Sequence, residues 1–390
     1  MANDPVYLDH AATTPVREEV FEAMKPFYGP RFGNPSSTHR WGREARAALD
    51  EARERVGRCL GARPDEICFT SGGTEADNLA ILGAWRALKA KGRKAVVTTP
   101  IEHKAILGAV HQAAQEGAEE RLLSMTPEGT VDLASFDRLV DDDVAVCSMM
   151  WVNNEIGTIQ PVPELAAKAK SHGALFHTDA VQSAGKIPVN ARTLGVDLLS
   201  LSAHKFYGPK GAGAMWIRRG ARLLPILTGG KHERSRRAGT ENVAGVAGLG
   251  VAAQLAAKKL TTEALRIRAL RDRLESGILA QVPGTAVNGA RDPRVPNTTN
   301  ISFEAIEAES LLIALDLEGV AVSTGSACSS GTLEPSHVLR AMGLPSPRTQ
   351  NSIRLSLGAG NTDAEVDFVV SKLPGIVDKL RSLTRAKVRA

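Results

Sequence analysis

Cysteine is scarce in this chain: Cys59, Cys68, Cys147 and Cys328 are the four among 390 residues, and no two form a Cys-x-x-Cys pair. A disulfide scaffold is therefore excluded, and no metal site is expected. Aromatic residues make up only 4%, too few for the stacking platform of a nucleic-acid binder, and no reading motif accompanies them. No uninterrupted apolar run approaches the roughly 18 residues of a membrane span. The N-terminus, MANDPVYLDHAATTP, has neither the basic start nor the apolar run of a secretory signal. These absences point to a cytoplasmic protein that engages neither nucleic acid nor membrane. No strand leads into Gly-x-Gly-x-x-Gly, and Gly-x-x-x-x-Gly-Lys-Ser/Thr is missing, so neither a dinucleotide nor a nucleoside triphosphate is indicated.

What is present suits a large soluble protein, 43% hydrophobic and 23% charged. Its length exceeds what one core usually serves, which predicts two domains. The net charge of +5 is spread along the chain, apart from Lys231 to Arg237 and the tail Arg381 to Arg389. From about residue 65 to 220 short apolar runs alternate with helix-like stretches. The runs are Glu66 to Phe69, Ala95 to Thr98, Val144 to Val152, Ala174 to His177, Leu198 to Leu201 and Ala212 to Ile217; amphipathic helices are expected at Thr74 to Lys89 and Pro163 to Ser171. This alternation predicts an α/β domain around a largely parallel sheet. Helices are expected next at Val243 to Leu255 and Thr261 to Val282. After them, strands at Asn300 to Phe303 and Ser352 to Leu355 mix with helices near Ala308 to Leu317, Pro335 to Met342 and Asp363 to Leu383. Residues 256–390 read as a smaller α+β domain.

The first five runs each end in polar or glycine residues. Ligand crevices of open α/β sheets lie beyond the carboxyl ends of the strands, so these five ends are expected to converge on one site. Ser71-Gly-Gly-Thr-Glu75 follows a strand and opens a helix, where free backbone N–H groups could hold a phosphate; an ordinary N-cap by Thr74 or Ser71 is the alternative. Ser202-Ala-His-Lys205 ends a strand with a lysine whose partly desolvated amine would be nucleophilic and imine-forming. Asp179 places a carboxylate in the same crevice. An anion cradle, a reactive lysine and a buried aspartate together meet the needs of pyridoxal 5'-phosphate. Cys68 and Cys147 sit in apolar strand-like runs and read as small buried hydrophobes. Cys328 alone lies in a polar, glycine-flanked segment, STGSACSSG.

Several longer segments carry a resemblance: Tyr7-Leu-Asp-His-Ala-Ala-Thr-Thr-Pro15, Phe32-Gly-Asn-Pro-Ser36, Thr70-Ser-Gly-Gly-Thr-Glu-Ala-Asp-Asn78, Glu102-His-Lys104, Val152-Asn-Asn-Glu-Ile-Gly157, His204-Lys-Phe-Tyr-Gly-Pro-Lys-Gly211 and Gly325-Ser-Ala-Cys328. Jointly they resemble the NifS/IscS-type cysteine desulfurases, pyridoxal-phosphate enzymes of the class V aminotransferase family. The resemblance implies the PLP-dependent transferase fold type I: a large PLP-binding domain, 16–255, with a mainly parallel mixed sheet flanked by helices, and a smaller α+β domain from 1–15 and 256–390 carrying the catalytic cysteine.

It further implies that Lys205 holds the cofactor as an imine, that Asp179 partners its pyridine nitrogen and that His103 stacks on its ring; from the residues alone, His103 could equally be a capping histidine. Gly73, Thr74, Ser202 and His204 match phosphate-side contacts, and Asn154 and Gln182 match groups on the ring's oxygen side. Thr240 resembles the threonine that reaches the phosphate of the other subunit of a homodimer. Arg354 matches the arginine that grips the substrate carboxylate, with Asn154 beside it; its planar fork suits a carboxylate. Lys205, His103 and Cys328 are the implied catalytic residues. L-cysteine is the implied substrate, and a sulfur-acceptor protein such as an iron–sulfur scaffold the implied partner. A selenocysteine lyase or another class V enzyme is the nearest alternative, and a non-catalytic phosphate-binding protein a more distant one.

Overall fold

The computed structural model of the chain describes residues 5–325 and 335–389, with side chains as far as Leu383, so Cys328 lies outside the described residues. A 20-residue helix, α1 (Arg40–Cys59), precedes the main sheet. Strand β1 (Ile67–Thr70) leads into α2 (Gly73–Lys89), and β2 (Ala95–Thr98) into α3 (Lys104–Gln115). Strands β3 (Glu119–Leu122), β4 (Val144–Ser148), β5 (Leu175–Asp179), β6 (Leu198–Ser202) and β7 (Gly213–Ile217) follow. Their spatial order is β1-β7-β6-β5-β4-β2-β3. Strand β7 is antiparallel to both neighbours, and every other pairing is parallel.

Helices cover both faces of this sheet, which is why its central strands read as unbroken apolar runs. Alternate residues serve opposite faces. Phe69, Leu199 and Trp216 join α1's Leu49 and Val56 on one face, while Cys68, Leu198 and Met215 meet α2's Leu79 and Trp85 on the other. The edge strand β3 is Glu-Glu-Arg-Leu, largely exposed; with one face solvated it has no apolar run, so the sequence reading passes over it. The expected run Val144 to Val152 is a strand only as far as Ser148. Beyond it Met150 turns its N–H to the Glu102 carboxylate.

The helices expected at Val243 to Leu255 and Thr261 to Val282 are one continuous helix, α4 (Val243–Gln281). No glycine or proline lies between them to interrupt the backbone ladder. The expected division at 255/256 thus falls inside a helix. Val246 and Leu249 of its first half pack into the large-sheet core, whereas Ile267, Leu270 and Leu274 pack into a separate cluster with Val6, Leu8, Ile301, Ile353 and Val369. By length and composition α4 could cross a membrane, but half of its apolar window is buried inside the protein.

The second cluster is closed by an antiparallel sheet of β8 (Thr285–Val287), β9 (Thr298–Phe303) and β10 (Ser352–Ser356), with β9 central, and by the last helix, α5 (Asp363–Arg389). Residues 6–7 add to this half by parallel pairing with Val320 and Ala321, and Asp9 bridges to Ser356.

A buried ion pair fixes the loop between the large sheet and α4. Arg53 of α1 meets both carboxylate oxygens of Glu233 at 2.6 and 2.8 Å, with side-chain exposures of 5% and 1%. Glu233 also accepts the Phe69 N–H at 2.8 Å. It opens three successive non-glycine residues with positive φ: Glu233 at 46°, Arg234 at 57° and Ser235 at 64°. Such backbone persists only where its surroundings over-determine it. Arg53→Met, which strands the Glu233 charge, is expected to cost roughly 3–5 kcal/mol in urea unfolding monitored by circular dichroism.

Candidate active site

Because β1, β2, β4, β5 and β6 run the same way, their carboxyl ends lie along one sheet edge. A cavity of about 470 Å³ opens there. All five predicted strand ends contribute to it: Gly73 and Thr74 after β1, His103 after β2, Asn154 after β4, Asp179 and Gln182 at the end of β5, and Ser202, His204 and Lys205 after β6. Arg354 of β10 and Gly325 reach the cavity from the second half of the molecule.

The anion end is built by close approach. The N-cap of helix α2 is Gly72, which offers no side-chain cap, so neither Ser71 nor Thr74 serves as the ordinary N-cap. A Cβ on Gly213 would lie 2.6 Å from the Cα of Gly72, and one on Gly73 would lie 2.9 Å from Val181 Cγ2. Glycine is required where protein segments come this near to one another. Glu75 accepts the Ser71 N–H at 2.8 Å and is held by Arg237 at 2.9 Å. The amides of Gly73 and Thr74 are thereby left at the cavity wall, at the positive end of a 17-residue helix.

Lys205 donates to the carbonyls of Ala11 at 2.8 Å and Ala12 at 2.7 Å. Asp179, 6% exposed, accepts the Val181 N–H at 2.8 Å. Burial raises its carboxyl above the ordinary range, opposed by that N–H and by His103 and Lys205. His103 is the N-cap of α3, its Nδ1 accepting the Ala105 N–H at 3.1 Å. The capping and cavity roles therefore coexist, and the proton sits on Nε2. Burial lowers the His103 pKa, and it drives His204 down to about 4, with Lys205 adding to the effect there. Both rings are neutral near pH 7.

Arg354 is 3% exposed. Its Nη2 bonds Asp9 Oδ1 at 2.7 Å and its Nη1 the Asn154 carbonyl at 2.8 Å, while Nε is buried without a partner among the described residues. Thr240 is exposed and lies outside this cavity's lining. Cys328 lies outside the described residues; Gly325, three positions before it, touches the cavity.

A buried polar layer, of which Asp77 reaches the cavity wall, escaped the sequence reading. His177 is sandwiched between Ser148 Oγ and Ser200 Oγ, each at 2.8 Å, and burial pushes it down to about 3. Asp77 Oδ1 lies 3.7 Å from His177 Nε2 and has no hydrogen-bond partner among the described residues. Burial and the neighbouring Asp179 raise the Asp77 carboxyl far above its usual range. Glu102 accepts from Thr99 Oγ1 at 2.6 Å and from the Met150 N–H, and burial pushes it up to about 8. The available signal was adjacency: Asp77 stands one turn past Gly73, and Glu102 directly precedes His103.

Comparison with known proteins agrees with this geometry. The family model described as Aminotransferase class-V matches residues 6–369. The chain is 50% identical to cysteine desulfurase IscS of Dictyoglomus turgidum, over 98% of this chain and 97% of that protein. It is 48% identical to cysteine desulfurase NifS of Azotobacter vinelandii, over 97% and 94%. A solved structure titled NifS-like protein superposes with a TM-score of 0.90 at 38% identity, covering 96% of this chain and all of that one.

Glu102 gives a pH test. Its folded pKa of about 8 exceeds the unbound value of 4.5, so between these pH values the folded state keeps a proton that the unfolded chain releases. Its stabilising contribution is complete below pH 4.5 and is lost as pH rises through 8. Glu102→Gln, which does not titrate, should therefore gain roughly 2–5 kcal/mol on the parent protein between pH 5 and 8.5, read from denaturant midpoints.

Proposed function

This chain belongs to the class-V aminotransferase family, and we propose that it is a pyridoxal-phosphate-dependent cysteine desulfurase of the NifS/IscS type, converting L-cysteine to L-alanine with transfer of the sulfur to Cys328. The observation that carries this reading is one cavity that joins an uncapped helix N-terminus, the Lys205 amine, the Asp179 carboxylate and an Arg354 guanidinium whose Nε has no partner among the described residues. The residues fit the cofactor. Gly73, Thr74, Ser202 and His204 would hold its phosphate, Asp179 its pyridine nitrogen, Asn154 and Gln182 its oxygen side and Lys205 its carbonyl carbon, with His103 against the ring. When bound, pyridoxal phosphate supplies an electron sink for charge developing at the substrate α-carbon.

The remaining work falls to side chains. Arg354 binds the carboxylate of L-cysteine through its guanidinium, its fork already aimed by Asp9 and the Asn154 carbonyl. The Lys205 amine takes the α-proton and later returns one. The neutral His103, with Nε2–H directed away from its capping nitrogen, is a second proton carrier. The Cys328 thiolate attacks the substrate sulfur; the S–S bond forms as the C–S bond breaks, and the electron pair left on carbon takes a proton to give alanine. The products are a Cys328 persulfide and alanine, with atoms and charge in balance. Under the same reading the enzyme is a cytoplasmic homodimer to which Thr240 contributes across the subunit boundary. Its persulfide passes to an acceptor protein such as an iron–sulfur scaffold.

Incubation with cysteine and dithiothreitol should yield alanine and sulfide in equal amounts. Cys328→Ala should retain pyridoxal phosphate on Lys205, located by borohydride reduction and peptide mapping, while releasing no sulfide; sustained sulfide release would remove Cys328 from the reaction. Arg354→Lys keeps the charge but loses the fork, and should raise KM for L-cysteine by roughly 10- to 100-fold, as expected for a charged hydrogen bond of ~1.5–3 kcal/mol.

A further inference from the structure

We propose that Lys186 is a positioning residue that fixes the side-chain amide of Gln182 in one orientation, so that an N–H of Gln182 is presented to the cavity. The inference rests on the reading that pyridoxal phosphate binds there. Lys186 follows β5 on the same turn as Gln182, four residues on, and is partly buried. Its Nζ donates to Gln182 Oε1 at 2.6 Å. On its other side the amide gives one Nε2 hydrogen to the Ala11 carbonyl at 2.9 Å.

The polarity of these two neighbours decides the orientation. An ammonium can only donate and a backbone carbonyl can only accept. Flipping the amide would set its NH₂ against Nζ and its oxygen against the Ala11 oxygen, losing both bonds and creating two repulsive contacts in a buried place. The Ala11 carbonyl also accepts from Lys205 at 2.8 Å. Both of its lone pairs are then used, and it cannot take the second amide hydrogen of Gln182. Gln182 lines the cavity, so that second hydrogen is the one available to a ligand oxygen. Lys186, Gln182, Ala11 and Lys205 thus form one hydrogen-bonded chain from outside the cavity lining to the reactive amine.

The charged and titratable groups acting on Lys186 or acted on by it are Lys205, Arg354, His10 and His204. Burial, then the like charges of Lys205 and Arg354, bring the Lys186 amine down to about 7. A neutral amine still donates, so the bond to Gln182 survives that titration; because it can also accept, the Lys186 side selects the orientation in the ammonium form, and the Ala11 carbonyl selects it at any pH.

A double-mutant cycle separates action through Gln182 from a bare charge effect. Lys186→Met, Gln182→Leu and the double variant are loaded with pyridoxal phosphate, and the pH midpoint of the visible absorption band is measured, with Lys186→Arg as the conservative rescue. Thermal unfolding of the apoproteins reports folding, and Lys186→Leu replaces Lys186→Met if the latter does not fold. Loss of a donor to the cofactor oxygen should move the midpoint upward by roughly 0.5–1 unit in each single variant. The double variant should move no further, and Lys186→Arg should stay near the parent value. An unshifted Lys186→Met, or a Lys186→Met shift that persists in full in the Gln182→Leu background, would overturn the proposal. Absence of any visible band from the parent protein would instead overturn the cofactor reading on which it stands.

Discussion

The placement of one amine organises the molecule. Lys205 sits in a short turn at the end of β6, and its Nζ is held by two consecutive carbonyls, those of Ala11 and Ala12. Those carbonyls belong to a segment whose preceding residues are built into the other half of the protein, through Val6 pairing with Val320 and Asp9 bridging to Ser356. The same segment receives Gln182 and, through Thr14, binds the carbonyl of His204. A lysine in an apolar sheet end would otherwise need a counter-ion or full solvation. Two oriented carbonyl dipoles meet part of that need, and the Asp179 carboxylate is near enough to act on the amine.

The electrostatics around it follow the same economy. His10, His103, His177 and His204 are all driven toward their neutral forms by burial, while Glu102 and Asp77 are driven toward theirs. The permanent charge left at the cavity is mainly cationic, from Arg354 and the lysines, matched to ligands bearing phosphate and carboxylate groups. Two acidic groups counter it, Glu75, which Arg237 neutralises, and Asp179. Its backbone N–H bond and the cationic neighbours counter burial and favour its charged form, as a partner for a protonated ring nitrogen requires.

The α/β architecture was legible because a doubly covered sheet writes continuous apolar runs into the sequence, and five of those runs ended in visibly polar clusters. Gly73, His103, Asp179 and Lys205 were legible for the same reason, each standing immediately beyond a run. Gln182 lay in one of those polar clusters but took its role only from the resemblance of whole segments, and Arg354 carried no such local mark. Asp77, His177 and Lys186 were missed because their roles depend on what faces them across the sheet or along a turn, which periodicity does not encode. The continuity of α4 was missed for a different reason. Its two halves serve different cores, and Lys258 and Lys259 between them leave a polar gap in the pattern.

That continuity limits how the protein can work. A 39-residue helix is on the order of 58 Å long, and both cores are packed on it as on a common axle. Relative rotation of the halves would have to bend that axle or strip one set of apolar contacts from it. A jaw-like closure is therefore mechanically disfavoured. The two halves are thus tied through one shared element rather than through a hinge loop.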